Sequence, residues 1–166
     1  MAQITLDGFP CATNGELPAV GSPAPDFKLV RSDLTDLSLA DFGGQRKVIV
    51  TVPSLDTGVC RATARAFNER AAALADTVVL VVSVDTPFAQ HRFCETEGID
   101  GVSTMSTLRS KAFAKDYGVL ITDGPFAGAM ARAVVVVDEH DTVLHAQLVT
   151  EIGDEPDYDA ALASLR

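Results

Sequence analysis

The residue best placed for chemistry in this chain is Cys60, which follows a short apolar segment and begins a helical pattern. The segment Val48–Val52 is rich in β-branched residues and ends at Pro53, as is typical of a buried strand. Thr57 can then cap the next helix, which makes Cys60 its third residue, whose backbone N–H the threonine oxygen reaches. Free N–H groups and the helix dipole favour an anion there, and the thiolate is the reactive form of cysteine. The spacing therefore predicts a nucleophilic thiolate at Cys60.

A second interpretation treats Cys60 as structural, because cysteine is among the most often buried residue types. The Pro-x-x-x-Thr-x-x-Cys spacing favours the reactive interpretation instead. Two further cysteines, Cys11 and Cys94, bring the total to three, and an odd number in a long chain is a poor match to a secreted disulfide framework. The histidines offer no zinc-ligand spacing beyond His91-x-x-Cys94. The sequence thus predicts neither a metal nor a cofactor.

The size and charge of the chain exclude several classes of partner. With 166 residues and a hydrophobic content of 47%, residues 1–166 suit a single domain with a proper core. The formal net charge of −10 would repel nucleic acid and anionic lipid. No apolar stretch approaches the ~20 residues of a membrane span, and the first residues lack a leader pattern. We therefore expect a soluble, cytoplasmic protein without nucleic-acid or membrane partners.

The predicted strands indicate the scaffold that must position Cys60. A small hairpin with an Asp7-Gly8 turn is expected over residues 3–14, within an N-terminal extension of residues 1–16. Short edge strands are expected at 27–30 and 37–39. Longer strands are expected at 48–52, 78–84, 133–137 and 143–149.

The predicted helices lie between and after these strands. They begin after Thr57, span 87–97 and 107–117, and start again with Pro156 as the first helical residue. In the third of them, Leu108 and Ala112 are expected to point inward. The order β-α-β-α-α-β-β-α predicts a thioredoxin-like α/β sandwich, a central mixed sheet flanked by helices, with an N-terminal β-hairpin.

Five segments resemble thiol peroxidase, the atypical two-cysteine branch of the peroxiredoxins. They extend over nearly the whole chain: Gly21–Phe27, Pro53–Cys60, Pro87–Cys94, Asp123–Pro125 and Ala131–Val136. The second segment is typical of the wider peroxiredoxin superfamily, whereas Pro-Phe-Ala-x-x-Arg-Phe-Cys in the third resembles this branch in particular.

The resemblance implies a thiol-dependent peroxidase in which Cys60 is the peroxidatic cysteine and Cys94 resolves it within the same subunit. It implies that Pro53, Thr57 and Arg132 complete the peroxide site. Arg132 would then lie near the sulfur, Thr57 would orient the peroxide, and Pro53 would keep water away. The resemblance also implies hydrogen peroxide and organic hydroperoxides as substrates, thioredoxin as the reductant and a homodimer. A disulfide between residues of two separate helices would require local unwinding of both.

Other readings of the same residues stay open at the level of sequence. Arg132 alone could be a solvated residue at a strand start, and Cys94 a buried helix thiol. Thioredoxin-like dithiol exchange is disfavoured because Arg61-Ala62-Thr63 follows Cys60 and no Cys-x-x-Cys is present. A redox-responsive sensor or binding protein using the same cysteine pair is the alternative function. Cys11 is expected to be a bystander.

Overall fold

The computed structural model describes residues 1–166 and contains nine strands. The strands are β1 Gln3–Leu6, β2 Phe9–Ala12, β3 Lys28–Arg31, β4 Asp36–Ser38, β5 Arg46–Thr51, β6 Thr77–Ser83, β7 Ser103–Ser106, β8 Ala133–Val137 and β9 Val143–Leu148. The α-helices are α1 Gly58–Ala71, α2 Pro87–Glu97, α3 Ala112–Asp116 and α4 Tyr158–Ala163, and a 3-10 turn covers Leu39–Phe42. None of the helices is long and apolar enough to span a membrane.

Seven of the strands form one mixed sheet in the order β4-β3-β7-β6-β5-β8-β9. Strands β5, β6 and β7 run parallel, while β8 pairs antiparallel with β5 and β3 pairs antiparallel with β7. This is the thioredoxin-like α/β sandwich that the element order predicts. The remaining two strands form the N-terminal hairpin, whose Asp7 and Gly8 both have positive φ, as the tight turn between two paired strands requires.

Successive residues of the central strands enter two different cores, one on each face of the sheet. In β5, Val48 and Val50 pack with α1, α2 and α4, whereas Ile49 packs with α3 and the 3-10 turn. The alternation follows from the pleat of a strand, which sends neighbouring side chains to opposite faces. A strand covered on both faces must be apolar throughout, which explains the continuous valine and isoleucine runs.

Strand β7 is the main element that the sequence prediction missed. Its residues Ser103–Ser106 are mostly polar, yet Thr104 and Ser106 are buried. Their hydroxyls have partners inside the protein, since Ser106 Oγ donates to the carbonyl of Asp85 and Thr104 Oγ1 accepts from the Cys94 thiol at 3.9 Å. The strand predicted at 27–30 is confirmed as β3, but its predicted edge position is wrong, because β3 pairs with both β4 and β7 and lies inside the sheet. Only β4 and β9 lie at its edges.

The third and fourth helices differ from their predicted bounds. Helix α3 covers only Ala112–Asp116, and the prediction that Leu108 and Ala112 point inward is wrong, because both are exposed. The chain turns after β7, where Ser106 Oγ accepts the Leu108 N–H at 3.1 Å. Helix α4 begins at Tyr158 and not at Pro156, because the carboxylate of Asp157 accepts the Ala160 N–H and caps it. The first two helices are confirmed with their predicted caps.

The hairpin is attached to the body of the protein through one carboxylate. Glu151 accepts hydrogen bonds from Thr5 Oγ1 at 2.7 Å and from the N–H groups of Asp7, Gly8 and Gly153. These hydrogen bonds, that of Thr5 foremost, lower the pKa of Glu151 to about 2. The stabilisation is therefore present above pH 4.5, the ordinary pKa of a glutamate, and is lost as the pH falls towards about 2.

We expect Glu151→Gln to be less stable than the native protein at neutral pH, because an amide replaces the ionised acceptor. The difference in unfolding free energy should shrink as the pH falls below 4.5. Urea unfolding followed by circular dichroism at several pH values measures it. Glu69→Gln serves as the control, because Glu69 is exposed and makes no hydrogen bond. A difference that stays constant down to about pH 2 would contradict the argument.

Candidate active site

The loop that leads from β5 to α1 carries the predicted site residues and is held by Asp85. The carboxylate of Asp85 accepts hydrogen bonds from Ser54 Oγ at 2.7 Å, from the Leu55 N–H at 2.8 Å and from Ser83 Oγ at 2.7 Å. Ser83 ends the neighbouring strand β6, so this carboxylate ties the loop to the edge of the sheet. The start of α1 is thereby fixed relative to the strands.

Helix α1 begins as the sequence predicts. Thr57 is its N-cap with extended backbone geometry, and its hydroxyl oxygen accepts the Cys60 N–H at 3.4 Å. Cys60 is fully buried, in one core with Val50 of β5, Val52 directly after that strand, and Phe93 of α2. Pro53, also buried, precedes the loop and offers no backbone donor. The cysteine sulfur is therefore shielded from bulk water on the side of the sheet.

Arg132 reaches Cys60 because β8 runs antiparallel to β5. In this register the start of β8 lies beside the end of β5, with Ala133 opposite Thr51. Arg132 therefore lies next to the segment where the chain enters α1. Its Nη1 lies 3.4 Å from Cys60 Sγ, and its side chain is 1% exposed. The guanidinium thus directs a charged N–H donor at the sulfur in a site where water screens the contact little.

Two more groups hold the Arg132 guanidinium. Nη1 also donates to Thr63 Oγ1 at 3.3 Å, and Nη2 donates to the carbonyl oxygen of Ile152 at 3.0 Å. Sequence reasoning missed both partners and Asp85. Thr63 stands three residues after Cys60, and this spacing places two side chains on one face of a helix. The sequence could therefore have predicted that Thr63 lies near Cys60. The Ile152 carbonyl could not have been predicted from the sequence, because a residue of any type supplies a backbone oxygen.

An open depression leads from the surface to Pro53 and Thr57. It has a volume of about 510 Å³, and its other walls are Ser54, Val84 and the segment 125–129. The depression combines polar groups of the α1 loop with the apolar side chain of Phe126. It is wide enough for small molecules that carry an organic group.

Cys94 lies in the last third of α2 and is partly buried. Its side chain packs against the same core as Cys60, and its thiol donates to Thr104 Oγ1. Burial raises the pKa of the Cys94 thiol. Neither thiol is in a disulfide in this structure. Cys60 and Cys94 are thus placed in one core but on separate helices.

A charged cluster connects the two helices that carry these cysteines. Glu97 of α2 pairs with Arg61 at 3.5 Å and with Arg65, both on α1. These contacts would have to break or move if either helix unwinds.

Cys11 lies apart from these residues. It is buried in β2, packs with Ile4 and Ile121, and its β-carbon lies close to Gly124. Burial raises the pKa of its thiol, with the charges of Asp123 and Glu151 acting in the same direction.

A cysteine at a helix start, beside a buried arginine in a thioredoxin-like sandwich, defines a thiol-based redox protein. The family model for Redoxin matches residues 19–162. The thiol peroxidase of Leptospira interrogans is 48% identical over 166 residues, which cover 99% of this chain and 97% of that protein. The chain therefore belongs to the Redoxin family and, within it, to the thiol peroxidases, which are oxidoreductases that act on peroxides.

Solved structures give the same assignment. A peroxiredoxin-like protein from Aquifex aeolicus superposes with a TM-score of 0.93 at 39% identity, covering 99% of this chain and 96% of that one. A thiol peroxidase from Chromobacterium violaceum superposes with a TM-score of 0.92 at 27% identity, with the same coverage. The similarity includes the N-terminal hairpin, because it extends over nearly the whole chain.

We expect Asp85→Asn to loosen the loop before α1, because the substituted amide nitrogen donates and cannot accept the loop's hydrogen bonds. Loss of a charged acceptor should cost about 1–3 kcal/mol of unfolding free energy and slow the reaction of Cys60 with peroxide about tenfold. Chemical denaturation and stopped-flow peroxide kinetics measure the two effects. Asp56→Asn is the matched control, since Asp56 lies exposed in the same loop and its carboxylate accepts no hydrogen bond. Equal kinetics of the two variants would show that Asp85 does not organise the loop.

Proposed function

We propose that the protein reduces hydrogen peroxide and organic hydroperoxides at Cys60. The thiolate attacks one peroxide oxygen, the S–O bond forms as the O–O bond breaks, and Cys60 becomes a sulfenic acid. The departing oxygen takes a proton and leaves as water or as an alcohol. The observation that carries this proposal is the buried contact of Cys60 Sγ with Arg132 Nη1 at 3.4 Å.

The neighbouring residues have complementary roles in this reaction. Arg132 stabilises the thiolate and donates to the peroxide, where negative charge develops on the departing oxygen. The hydroxyl of Thr57 and the first N–H groups of α1 orient the attacked peroxide. Pro53 adds no competing donor and keeps water from the sulfur. Burial strengthens each of these electrostatic contacts, because water does not screen them.

Access through the depression beside Pro53 and Thr57 supports the substrate assignment. A peroxide group can approach the start of α1 while an attached organic group lies against Phe126 and Val84. Hydrogen peroxide needs only the polar end of the same path. This arrangement favours a broad set of small hydroperoxides over a single substrate.

The second half of the proposed cycle uses Cys94. The Cys94 thiolate attacks the sulfenic sulfur, a disulfide forms between Cys60 and Cys94, and the hydroxyl group leaves as water. A dithiol donor of the thioredoxin type then reduces the disulfide to two thiols and is itself oxidised. Cys60 lies in the first turn of α1 and the Cys94 thiol is directed at β7, so both helices unwind locally before the bond forms.

The proposal also covers the domain organisation, the cellular location and the assembly of the enzyme. Residues 1–166 act as one domain, and the protein works in the reducing cytoplasm, where a thioredoxin system keeps its thiols available. A homodimer is the assembly that the sequence resemblance implies. Sedimentation velocity of the reduced and oxidised protein tests the assembly.

We expect Cys60→Ser to abolish peroxide consumption in the presence of a thioredoxin system, because no nucleophile remains. Cys94→Ser should be oxidised once and then over-oxidised, because no thiol in the chain condenses with its sulfenic acid. Peroxide consumption and intact-protein mass together measure both outcomes. Cys11→Ser is the control and should turn over like the native protein.

Two outcomes would contradict the proposal. If the native protein stops after about one equivalent of peroxide with the thioredoxin system present, the cysteine pair serves a redox sensor. If Cys94→Ser cycles undiminished with thioredoxin, Cys94 is not needed for resolution.

We also expect disulfide formation to speed up with pH after Cys60 is oxidised. The raised pKa of Cys94 keeps its thiol protonated near neutral pH, so its thiolate fraction grows about tenfold per pH unit. Acid-quenched samples analysed by mass spectrometry give the rate between about pH 6 and about pH 8. A rate independent of pH over this range would show that helix unwinding, and not ionisation of Cys94, limits the step.

A further inference from the structure

Thr63 is a buried threonine on the same face of α1 as Cys60, one turn further along the helix. It is fully inaccessible to solvent. Its hydroxyl donates to the carbonyl of Val59 at 2.8 Å, a bond within the helix that fixes the position of its proton. The oxygen is then free to accept, and it accepts from Arg132 Nη1 at 3.3 Å. The donor function of this hydroxyl is therefore used within the helix, and its oxygen is left to accept from Arg132.

The orientation of Arg132 depends on few contacts. Nη1 carries two hydrogens, and its two partners are Cys60 Sγ and Thr63 Oγ1. Nη2 donates to the Ile152 carbonyl, while the buried Nε has no partner. Because the guanidinium is planar and rigid, fixing Nη1 and Nη2 fixes the whole group. Without the Thr63 oxygen, the group could rotate about its bond to Ile152 and point away from the sulfur.

We propose that Thr63 is a positioning residue that directs a hydrogen of Arg132 Nη1 at the sulfur of Cys60. The proposal rests on the function assigned to Cys60 above and deepens it, because it names what determines the geometry of the arginine. Thr63 does not touch the peroxide. It acts through Arg132 alone, so its removal should impair the thiolate and leave the substrate path unchanged.

Other charged groups near Cys60 do not substitute for Arg132. Burial raises the pKa of Tyr158 on α4 to about 12, and its hydrogen bond to Glu155 acts in the same direction, while Thr63 and Arg132 oppose the shift. The phenol therefore stays neutral at physiological pH. Arg61 of α1 is paired with Glu97 of α2. The strands against Cys60 contribute valine side chains. Arg132 is the one cation that is hydrogen-bonded to the sulfur.

The test compares Thr63→Val with Thr63→Ser in a background that carries Cys11→Ser and Cys94→Ser, where Cys60 is the single thiol. Valine matches the shape of threonine but cannot accept from Arg132, whereas serine keeps the oxygen. The ultraviolet absorbance of the thiolate during a pH titration, with the same titration of Cys60→Ser subtracted, gives the ionisation midpoint. This readout requires no peroxidase activity.

We expect Thr63→Val to raise the ionisation midpoint by about one pH unit and to slow single-turnover oxidation by hydrogen peroxide about tenfold. The oxidation rate of Thr63→Ser should stay within about twofold of that of the single-thiol background protein, because the serine hydroxyl keeps the acceptor. A structural role would instead lower stability without moving the midpoint.

Two controls separate positioning from a general loss of a buried hydroxyl. Thr13 is equally buried, accepts from the Ala2 N–H and donates to the Gly15 carbonyl, and these partners form no hydrogen bond with the site. Thr13→Val should therefore lower the unfolding free energy while the ionisation midpoint of Cys60 stays unchanged. In a background with Arg132→Met, Thr63→Val should have no further effect on the midpoint, because the group that it positions is gone.

An unchanged midpoint in folded Thr63→Val would overturn the proposal, as would a full effect of Thr63→Val in the Arg132→Met background. If Thr63→Val does not fold, Thr63→Ala removes the same acceptor without adding a methyl group, and the same outcomes apply to it. Failure of the proposed function can be distinguished from failure of the positioning role. In that case hydrogen peroxide would leave Cys60 unoxidised in the single-thiol background protein itself. A shifted midpoint would still support the positioning role in that case.

Discussion

The contact between Arg132 and Cys60 is the interaction on which the rest of the site depends. A guanidinium that is 1% exposed has lost its hydration, which is costly unless other groups replace the water. The protein supplies the sulfur of Cys60, the hydroxyl of Thr63 and the carbonyl of Ile152. In the proposed reaction this positive charge stabilises the sulfur anion, and burial reduces the screening of their contact by water.

Much of the fold outside the central sheet supports this contact. The Ile152 carbonyl lies in a segment that the N-terminal hairpin fixes, because the Ile152 N–H donates to the Thr5 carbonyl and Glu151 binds the hairpin turn. On the other side, Asp85 fixes the loop before α1. The hairpin therefore supports the site through these hydrogen bonds, although it contributes no side chain to the site.

The elements that the sequence predicted best are those with strong local signals. The apolar runs of β5, β6 and β8 and the caps of α1 and α2 depend on residues within a few positions of one another. Strand β7 was missed because its buried Thr104 and Ser106 find partners on distant elements, which no local pattern reveals. The predicted bounds of α3 were wrong for a related reason. Ser106 Oγ accepts the Leu108 N–H, and the chain forms a turn where helical periodicity predicted a helix.

For the site, the sequence by itself was enough to propose Cys60 as the nucleophile, because strand, proline, threonine cap and cysteine lie within one short segment. The resemblance to a family supplied Cys94 and Arg132 as candidates but no distances. Only the tertiary structure decided that Arg132 lies against the sulfur, since this follows from the antiparallel pairing of β8 with β5. It also decided the contacts of Thr63 from which its positioning role is proposed, because a hydroxyl has a direction only when its donor and acceptor partners are in place. Local interactions specify the position of Cys60 at the start of a helix, whereas the electrostatic environment around it is a property of the folded sheet.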